Sequence, residues 1–436
     1  MRLKHSEQGI YSKYIEIEVI FLRGIALEGG GARGSFHIGA LLALRELGIT
    51  YDCVTGASIG AINGAILAQG ELDHLEDIWR MAQIGDMIQG DIDLIKQIVN
   101  LEFKSDYAKI RQFLMDTFRQ GGLDVSPFKE KLRGFIDEEA LRRSKIAFGL
   151  VTLSITDLKP IEAFIEDIPQ GKLHDYILAS ANFPAFKDEK FDNQKMLDGC
   201  FFDNLPVNML AERGCDEVIA IRLMSFGRIR KVKDKNVKVT TIIPSEDLGR
   251  TLEVDPIRAA HNIELGYFDT MRVMKGLRGR KYYVDQVPSE DAVIQSLLKI
   301  SDGTLDGIAQ LIGLKKPHKR MLFEDFLPMM AELLKMEEPF TYSDLVIAFY
   351  EFLAEQMGLN RLQILAFPEL LQLVQEHYKN LEALGLSGLN EMAQHLMALI
   401  PTKGFSLLPH KLKSQLLVQI FFTLYKNGYG YGIISQ

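Results

Sequence analysis

The pentapeptide Gly56-Ala57-Ser58-Ile59-Gly60 constrains this chain more than any other stretch. Tyr51-Asp52-Cys53-Val54-Thr55 before it is short and strand-like, and Ala61 to Leu67 after it is small and helix-compatible. A serine caught between a strand and a helix sits in a sharp turn, which needs small residues two positions to either side. Gly56 and Gly60 supply them. Ser58 is then predicted to project its hydroxyl from the end of a sheet, above a helix N-terminus that favours developing negative charge. The pentapeptide alone arises by chance in many chains; its flanks make it a nucleophile-elbow signal and imply an α/β fold.

A second feature lies upstream. Gly24-Ile25-Ala26-Leu27 reads as a buried strand and runs into Glu28-Gly29-Gly30-Gly31-Ala32-Arg33-Gly34. Ile38, Leu41, Leu42 and Leu44 then follow helical spacing, with Gly48 placed just past the helix end. Glycines between a strand and a helix leave backbone N–H groups unobstructed, so the loop is an anion cradle. Two ligands suit it, a phosphate or the oxyanion of an acyl-transfer intermediate.

The phosphate reading has some support. No Lys-Ser/Thr pair makes the loop a Walker motif, but Gly29, Gly31 and Gly34 satisfy G-x-G-x-x-G, and Asp52 stands 18 residues after Gly34. A dinucleotide fingerprint wants an acid roughly 20 residues on, at the end of the second strand. Here that strand runs on into Gly56-Ala57-Ser58 instead. One loop offering N–H groups and another offering a serine favour acyl transfer. A third piece is Met196-Leu197-Asp198-Gly199, followed by Asp203-Asn204-Leu205-Pro206. Asp198 closes a strand-like segment, although Asp-Gly is also among the commonest turn dipeptides.

Taken together, Gly-Gly-Gly-x-Arg-Gly, then G-x-S-x-G, then a distant Asp-Gly resembles the patatin-like phospholipases, serine lipid acyl hydrolases with a Ser–Asp dyad. The block Tyr176-Ile177-Leu178-Ala179-Ser180-Ala181-Asn182-Phe183-Pro184-Ala185-Phe186 is also similar to one the family carries before its aspartate. The resemblance covers roughly residues 23–285. It implies a three-layer α/β/α core around a central, mostly parallel sheet. It implies Ser58 as nucleophile and Asp198 as its base. It also implies an oxyanion hole from the N–H groups of Gly29, Gly30 and Gly31, with Arg33 and Gly34 completing the loop. The family has Gly or Ala after Asp-Gly, where this chain has Cys200, a thiol small enough to pack as a hydrophobe.

The same chemistry follows from the residues. A serine hydroxyl needs a base to take its proton as it attacks an ester. Most elbow enzymes use a histidine that follows the Ser and the acid in chain order. Among nine histidines, His174 lies just before a helix and His261 within one, and neither follows a strand end. A direct Ser58–Asp198 dyad is therefore preferred. A carboxylate base works only when ionised, so turnover is expected to fall below about pH 5 if Asp198 keeps an ordinary pKa. No metal or cofactor is required, since the N–H cradle does the work of a Lewis acid.

A net charge of −8, from 50 basic and 58 acidic residues, argues against nucleic acid as a partner. Three cysteines, Cys53, Cys200 and Cys215, fit a reduced intracellular protein. The polar start of the chain has no apolar run of a secretory signal, and no stretch approaches the ~18 apolar residues of a membrane span. The expected location is cytoplasmic, with export by a signal-less route left open.

Three regions are expected: an extension over 1–22 with strand-like Tyr14 to Leu22, an acyl hydrolase domain over 23–288, and an all-α accessory domain over 289–436. Within the second, Ile146 to Ile155, Ile161 to Ile165 and Cys215 to Leu223 read as strands. The stretch from Leu72 to Leu141 is expected to wall an acyl pocket, with Trp79, Met81, Met87, Phe103, Phe113 and Phe118 as candidate lining. Helical periodicity covers Met321 to Met336, Tyr342 to Met357, Leu381 to Ile400 and Leu412 to Lys426. The apolar stripe Phe323, Phe326, Leu327, Met329, Met330, Leu333 and Leu334 is expected in the core of that domain.

Two basic clusters, Arg228, Arg230, Lys231, Lys233, Lys235 and Lys238, and Lys315, Lys316, His318, Lys319 and Arg320, are read as solvated loops or as peripheral contacts for an anionic membrane. Substrates expected from the resemblance are phospholipid or lysophospholipid esters, with neutral glycerides left open. Two other readings stay open: a phospholipase effector silent until a partner or ligand engages it, with the helical domain as regulator or oligomer contact, and a non-hydrolytic nucleotide binder using Gly29 to Gly34.

Overall fold

The computed structural model describes residues 21–83, 85, 87, 122–184, 186–187, 190–191, 194–313, 317–378, 381 and 408–425. Tyr14 to Ile20, Phe103, Phe113, Phe118, Ala185, Lys315, Lys316, the predicted helix beyond Leu381 and Lys426 lie outside them. The chain divides into two compact units, Met1–Thr270 and Met271–Gln436. The change in periodicity read from the sequence near residue 288 falls after this division, because the strand Tyr283–Asp285 pairs with Ile364–Ala366 inside the second unit.

The first unit is built on one sheet of β1 (Arg23–Leu27), β2 (Cys53–Ala57), β3 (Ala147–Ser154), β4 (Lys159–Phe164), β5 (Lys190–Phe191), β6 (Gln194–Asp198), β7 (Glu217–Ile221) and β8 (Lys238–Ile242). The order is β5-β6-β3-β2-β1-β7-β8, with β4 also on β3. The pairs β3/β2, β2/β1, β1/β7 and β7/β8 are parallel, and β4, β5 and β6 enter antiparallel. Helices on both faces make the expected α/β/α layering. β1 and β2 are buried nearly throughout, as continuous apolar strands between two helical layers should be. β8, which starts at Lys238, was not legible as a strand because its Lys and Thr content reads as loop.

One detail of register places the site. β4 occupies one edge of β3 over Gly149 to Ser154. On the other edge, β2 pairs up to Ala57↔Val151, and β6 takes over at Thr152↔Asp198. Ala57 and Asp198 therefore face consecutive residues of a single strand.

The helix Ile59–Ala68 is buried along its whole length, which its small and aliphatic residues permit. The helix Ser35–Glu46 follows the glycine loop, and Gly48 (φ 66°) ends it in the left-handed conformation that glycine adopts at no steric cost.

The second unit is helical, with Glu290–Leu298, Asp302–Ile312, Leu327–Leu333, Tyr342–Gln356, Phe367–His377 and His410–Leu424 around a core that includes Leu305, Leu353, Phe367 and Phe421. β9 (Tyr283–Asp285) and β10 (Ile364–Ala366) add a short parallel pair. Phe326, Leu327, Met329, Met330 and Leu333 are buried in this core, with Phe323 and Leu334 packed against it, as expected of the stripe. The buried Glu351 carboxylate accepts from the amides of Arg280, Lys281 and Tyr282, which satisfies a charge that burial would otherwise penalise. Among the described residues no helix is long and apolar enough to cross a membrane.

Candidate active site

Ser58 stands between β2 and the helix Ile59–Ala68 with φ 54° and ψ −125°. That region is sparsely populated by residues with a side chain, so the turn is strained by about 1–3 kcal/mol. The strain is held by close packing. A Cβ on Gly56 would lie 2.2 Å from the Gly60 carbonyl carbon, and one on Gly60 2.3 Å from the Leu27 carbonyl oxygen. Both elbow glycines are thus required by contact. Ser58→Gly is expected to raise thermal stability, by about 1 kcal/mol, while abolishing any role of the hydroxyl. A melting temperature below wild type would show that the turn is not strained.

The Ser58 amide donates to Ser180 Oγ at 3.1 Å, and Ser180 Oγ donates to the Val151 carbonyl at 2.7 Å. Ser180 is fully buried. It lies in the block noted before the aspartate, but nothing in the sequence distinguished it from its neighbours.

Asp198 ends β6 and is 2 % exposed. Its Oδ1 accepts from the Cys200 amide at 2.8 Å, and its own amide donates to the Asn182 carbonyl at 3.0 Å. Burial pushes the carboxyl up to about 6, against hydrogen bonds from the Cys200 amide, the Ser58 hydroxyl and the Cys200 thiol. Cys200 packs beside the carboxylate, where burial and the neighbouring charge push its thiol well up, so it remains protonated. Ser58, Asp198, Gly30, Gly31 and Cys200 line one small cleft with Phe183, Ser225, Phe226 and Thr251.

The glycine loop is only partly as expected. Gly29 does not offer its N–H to the cleft, because that group donates to the Asn204 carbonyl at 3.1 Å. Among the described residues no protein acceptor takes the Gly30 or Gly31 amide. Gly31 has φ 58°, and a Cβ there would lie 2.2 Å from the Thr251 carbonyl oxygen. The Arg33 side chain points away from the cleft as a staple, donating to the carbonyls of Gly249 (2.8 Å) and Met224 (3.0 Å). The Gly34 carbonyl accepts from Asn63 Nδ2 at 3.0 Å, and Asn63 Oδ1 accepts from the Trp79 indole at 3.1 Å.

Glu28 is a residue that sequence reasoning passed over. Its carboxylate is fully buried, pairs with Arg222 at 2.7 Å, and accepts from the amides of Leu223 (2.6 Å), Met224 (3.2 Å) and Ser225 (3.3 Å). It ties the loop after β7 to the start of the glycine loop.

The Asp52 carboxylate accepts from the Arg23 amide at the start of β1. It therefore lies at the opposite end of the parallel β1/β2 pair from Gly29 to Gly34. A ribose-binding acid would have to sit at the same end as the loop, so Asp52 does not complete a dinucleotide site. His174 bonds the Ile136 carbonyl (2.9 Å), and His261 pairs with Glu246 (3.0 Å). His37 is fully buried, and that burial pushes it down to about 3, so it is neutral. Among the described residues no three His, Cys, Asp or Glu side chains gather as a metal site.

Two apolar cavities lie beyond the cleft, the first adjoining it and the second adjoining the first. One, of about 100 Å³, reaches Ser58 and Gly31 and is walled by Ile59, Ile62, Trp79, Met87 and Phe128. The other, of about 210 Å³, shares those five residues and extends to Ile66, Leu75, Leu132 and Phe135. Trp79, Met81 and Met87 are thus lining residues of these cavities.

Half of the first basic cluster is paired with acids. Arg230 pairs with Glu162 at 2.7 Å and lies over the Phe202 ring, Lys233 pairs with Glu212, and Lys238 with Glu217. Arg228, Lys231 and Lys235 stay exposed. In the second, His318 lies between Asp302 and Asp306, Lys319 donates to two carbonyls, and Arg320 pairs with Glu324.

The patatin-like phospholipase family matches residues 25–211, a span that holds the elbow, the glycine loop and Asp198 together. Residues 25–211 belong to the patatin-like phospholipase family. The chain is 27% identical over 200 residues to the patatin-like phospholipase domain-containing protein ZK370.4 of Caenorhabditis elegans, covering 45% of this chain and 13% of that protein. It is 30% identical over 199 residues to lysophospholipase NTE1 of Cryptococcus neoformans, covering 45% of this chain and 11% of that one. The matched segment is thus a small part of each relative's length. The crystal structure of VipD from Legionella pneumophila aligns with 92% of this chain and 91% of its own, at a TM-score of 0.37 and 14% identity.

Proposed function

We propose that the chain is a lipid acyl hydrolase of the phospholipase A or lysophospholipase kind, acting through an acyl-Ser58 intermediate. Ser58 Oγ attacks the ester carbonyl as Asp198 takes its proton. The Gly30 and Gly31 amides stabilise the oxyanion, and the alcohol portion leaves with the proton held by Asp198. Water, activated by the same carboxylate, then attacks the acyl-Ser58 ester and releases a fatty acid. The observation that carries this reading is the cleft where Ser58, Asp198, Gly30 and Gly31 converge. The adjoining apolar cavities suit a long acyl chain. The test is fluorophosphonate labelling with intact-mass readout. One adduct on wild type supports the reading, and none, together with no ester turnover, removes it.

The substrate class gives a second check. Ile66 lines the deeper cavity and not the one at Ser58. Filling that space with Ile66→Phe is expected to raise the kcat/KM ratio for p-nitrophenyl butyrate over palmitate by about tenfold, because it removes room for distal methylenes. An unchanged ratio would place the acyl chain elsewhere. Exposed Arg228, Lys231 and Lys235 are the groups left to meet anionic headgroups, and peripheral membrane contact is proposed through them.

A further inference from the structure

Asn204 holds Gly29 at both of its polar groups. The Gly29 N–H donates to the Asn204 carbonyl at 3.1 Å, and Asn204 Nδ2 donates back to the Gly29 carbonyl at 3.2 Å. The Ser225 hydroxyl donates to the same carbonyl. A side chain at Gly29 would destroy this clamp, since a Cβ there would lie 2.3 Å from Asn204 Oδ1.

The clamp is itself rigid. Asn204 is fully buried, and its amide donates to the Arg228 carbonyl at 2.6 Å. Its Nδ2 also reaches Ser225 Oγ (3.0 Å) and the Phe226 carbonyl (3.2 Å). Among the described residues nothing hydrogen-bonds its buried Oδ1. Glu28 holds Ser225 by accepting from its backbone amide.

A trans peptide is planar, and its C=O and N–H point in opposite directions. Two donors on the Gly29 carbonyl therefore fix the direction of the Gly30 N–H, opposite to that carbonyl, and Gly30 is a lining residue of the cleft. Asn204 also sits on the same short loop as Asp198, and Phe202 and Asp203 both donate to the Gly199 carbonyl. One loop thus sets the base and the donor against each other.

We propose that Asn204, with Ser225 as second donor, is the positioning residue of the oxyanion hole: it orients the Gly29–Gly30 peptide so that the Gly30 N–H meets the tetrahedral intermediate. The inference rests on the acyl-hydrolase reading. Asn204 touches no reacting atom. Its role is to remove the need for the loop to reorganise as charge develops, and such preorganisation acts on the transition state rather than on bound substrate.

The test uses the full chain with p-nitrophenyl butyrate and a trifluoromethyl ketone, whose hemiketal adduct, formed as Ser58 Oγ adds to the ketone carbonyl and its proton passes to Asp198, is an anionic tetrahedral mimic. The variants are Asn204→Ala, Asn204→Asp and Ser225→Ala. The expected result is kcat down about 10²-fold in the Asn204 variants and about tenfold in Ser225→Ala, with KM little changed. Affinity for the ketone falls in step with kcat. Folded variants that keep wild-type kcat and ketone affinity would overturn the inference, as would a rise in KM alone. If the Asn204 variants fail to fold, Ser225→Ala decides by the same two readouts. Fluorophosphonate labelling of wild type separates the two failures. A labelled, active wild type with unaffected variants defeats only the positioning role, whereas an unlabelled, inactive wild type defeats the hydrolase reading and this inference with it.

Discussion

Ser58→Ala is expected to lose the fluorophosphonate adduct and at least about 10⁴-fold in ester turnover while melting no lower than wild type. The size of the effect follows from what the hydroxyl does. In the proposed mechanism no acyl-enzyme forms without it, and the remaining N–H groups can at best assist direct attack by water. The retained stability follows from the backbone. Ser58 occupies a strained turn fixed by the contacts at Gly56 and Gly60, and alanine meets the same constraint without a polar group to place. Retained turnover in Ser58→Ala would move the nucleophile elsewhere. Retained adduct would mean that the reagent reads a different serine.

Asp198→Asn is expected to lower kcat by at least about 10³-fold, and the wild-type enzyme is expected to lose kcat/KM as pH falls through about 6. An ordinary aspartate would place that loss lower, as the sequence alone suggested. Burial raises the carboxyl because water is removed from around its charge, and three hydrogen bonds recover only part of the loss. The sign is definite: the base must be ionised, so activity falls tenfold per unit on the acid side of its pKa. The same shift has a stability consequence. A carboxyl with its folded pKa above its unfolded value destabilises the fold above about pH 6. That cost declines as pH falls below the folded pKa and is gone only below the unfolded one. Removing the charge is therefore expected to stabilise the protein at pH 8 by up to about 3 kcal/mol. Asp203, on the same loop, is also pushed up to about 6 by burial. The control is Asp203→Asn, in which the acid limb should persist. Disappearance of the limb in Asp203→Asn and its survival in Asp198→Asn would exchange the two roles.

Much of this site could be read before any fold was known. The elbow is legible because a strained strand-to-helix turn leaves a compositional trace, two glycines at fixed spacing. The glycine loop leaves a trace for the same steric reason. Strands β1, β2, β3 and β7 fall within a few residues of the apolar runs that predicted them, since a strand buried on both faces is apolar throughout, whereas β4, exposed over its first residues, was marked only by the short run from Ile161. β8 escaped because its exposed residues are Lys and Thr, and its pairing to β7 rests on backbone groups. Glu28, Ser180 and Asn204 escaped for another reason. Each is a single polar residue whose importance lies in a partner over 100 residues away, and neither periodicity nor local spacing records such a partner.

What the sequence determined by itself is local: where the chain must turn sharply, which segments must be buried, and which loops leave their amides bare. These follow from sterics and hydrophobicity within a few residues. What only the tertiary structure decided is how distant pieces meet. β2 and β6 share one edge of β3, with Ala57 opposite Val151 and Asp198 opposite Thr152, and this brings the serine turn and the aspartate together. It also decided that the Gly29 N–H faces Asn204 instead of the cleft, and that burial lifts Asp198 to about 6. Hydrogen-bond direction and desolvation depend on everything packed around a group, and a linear string does not contain that information.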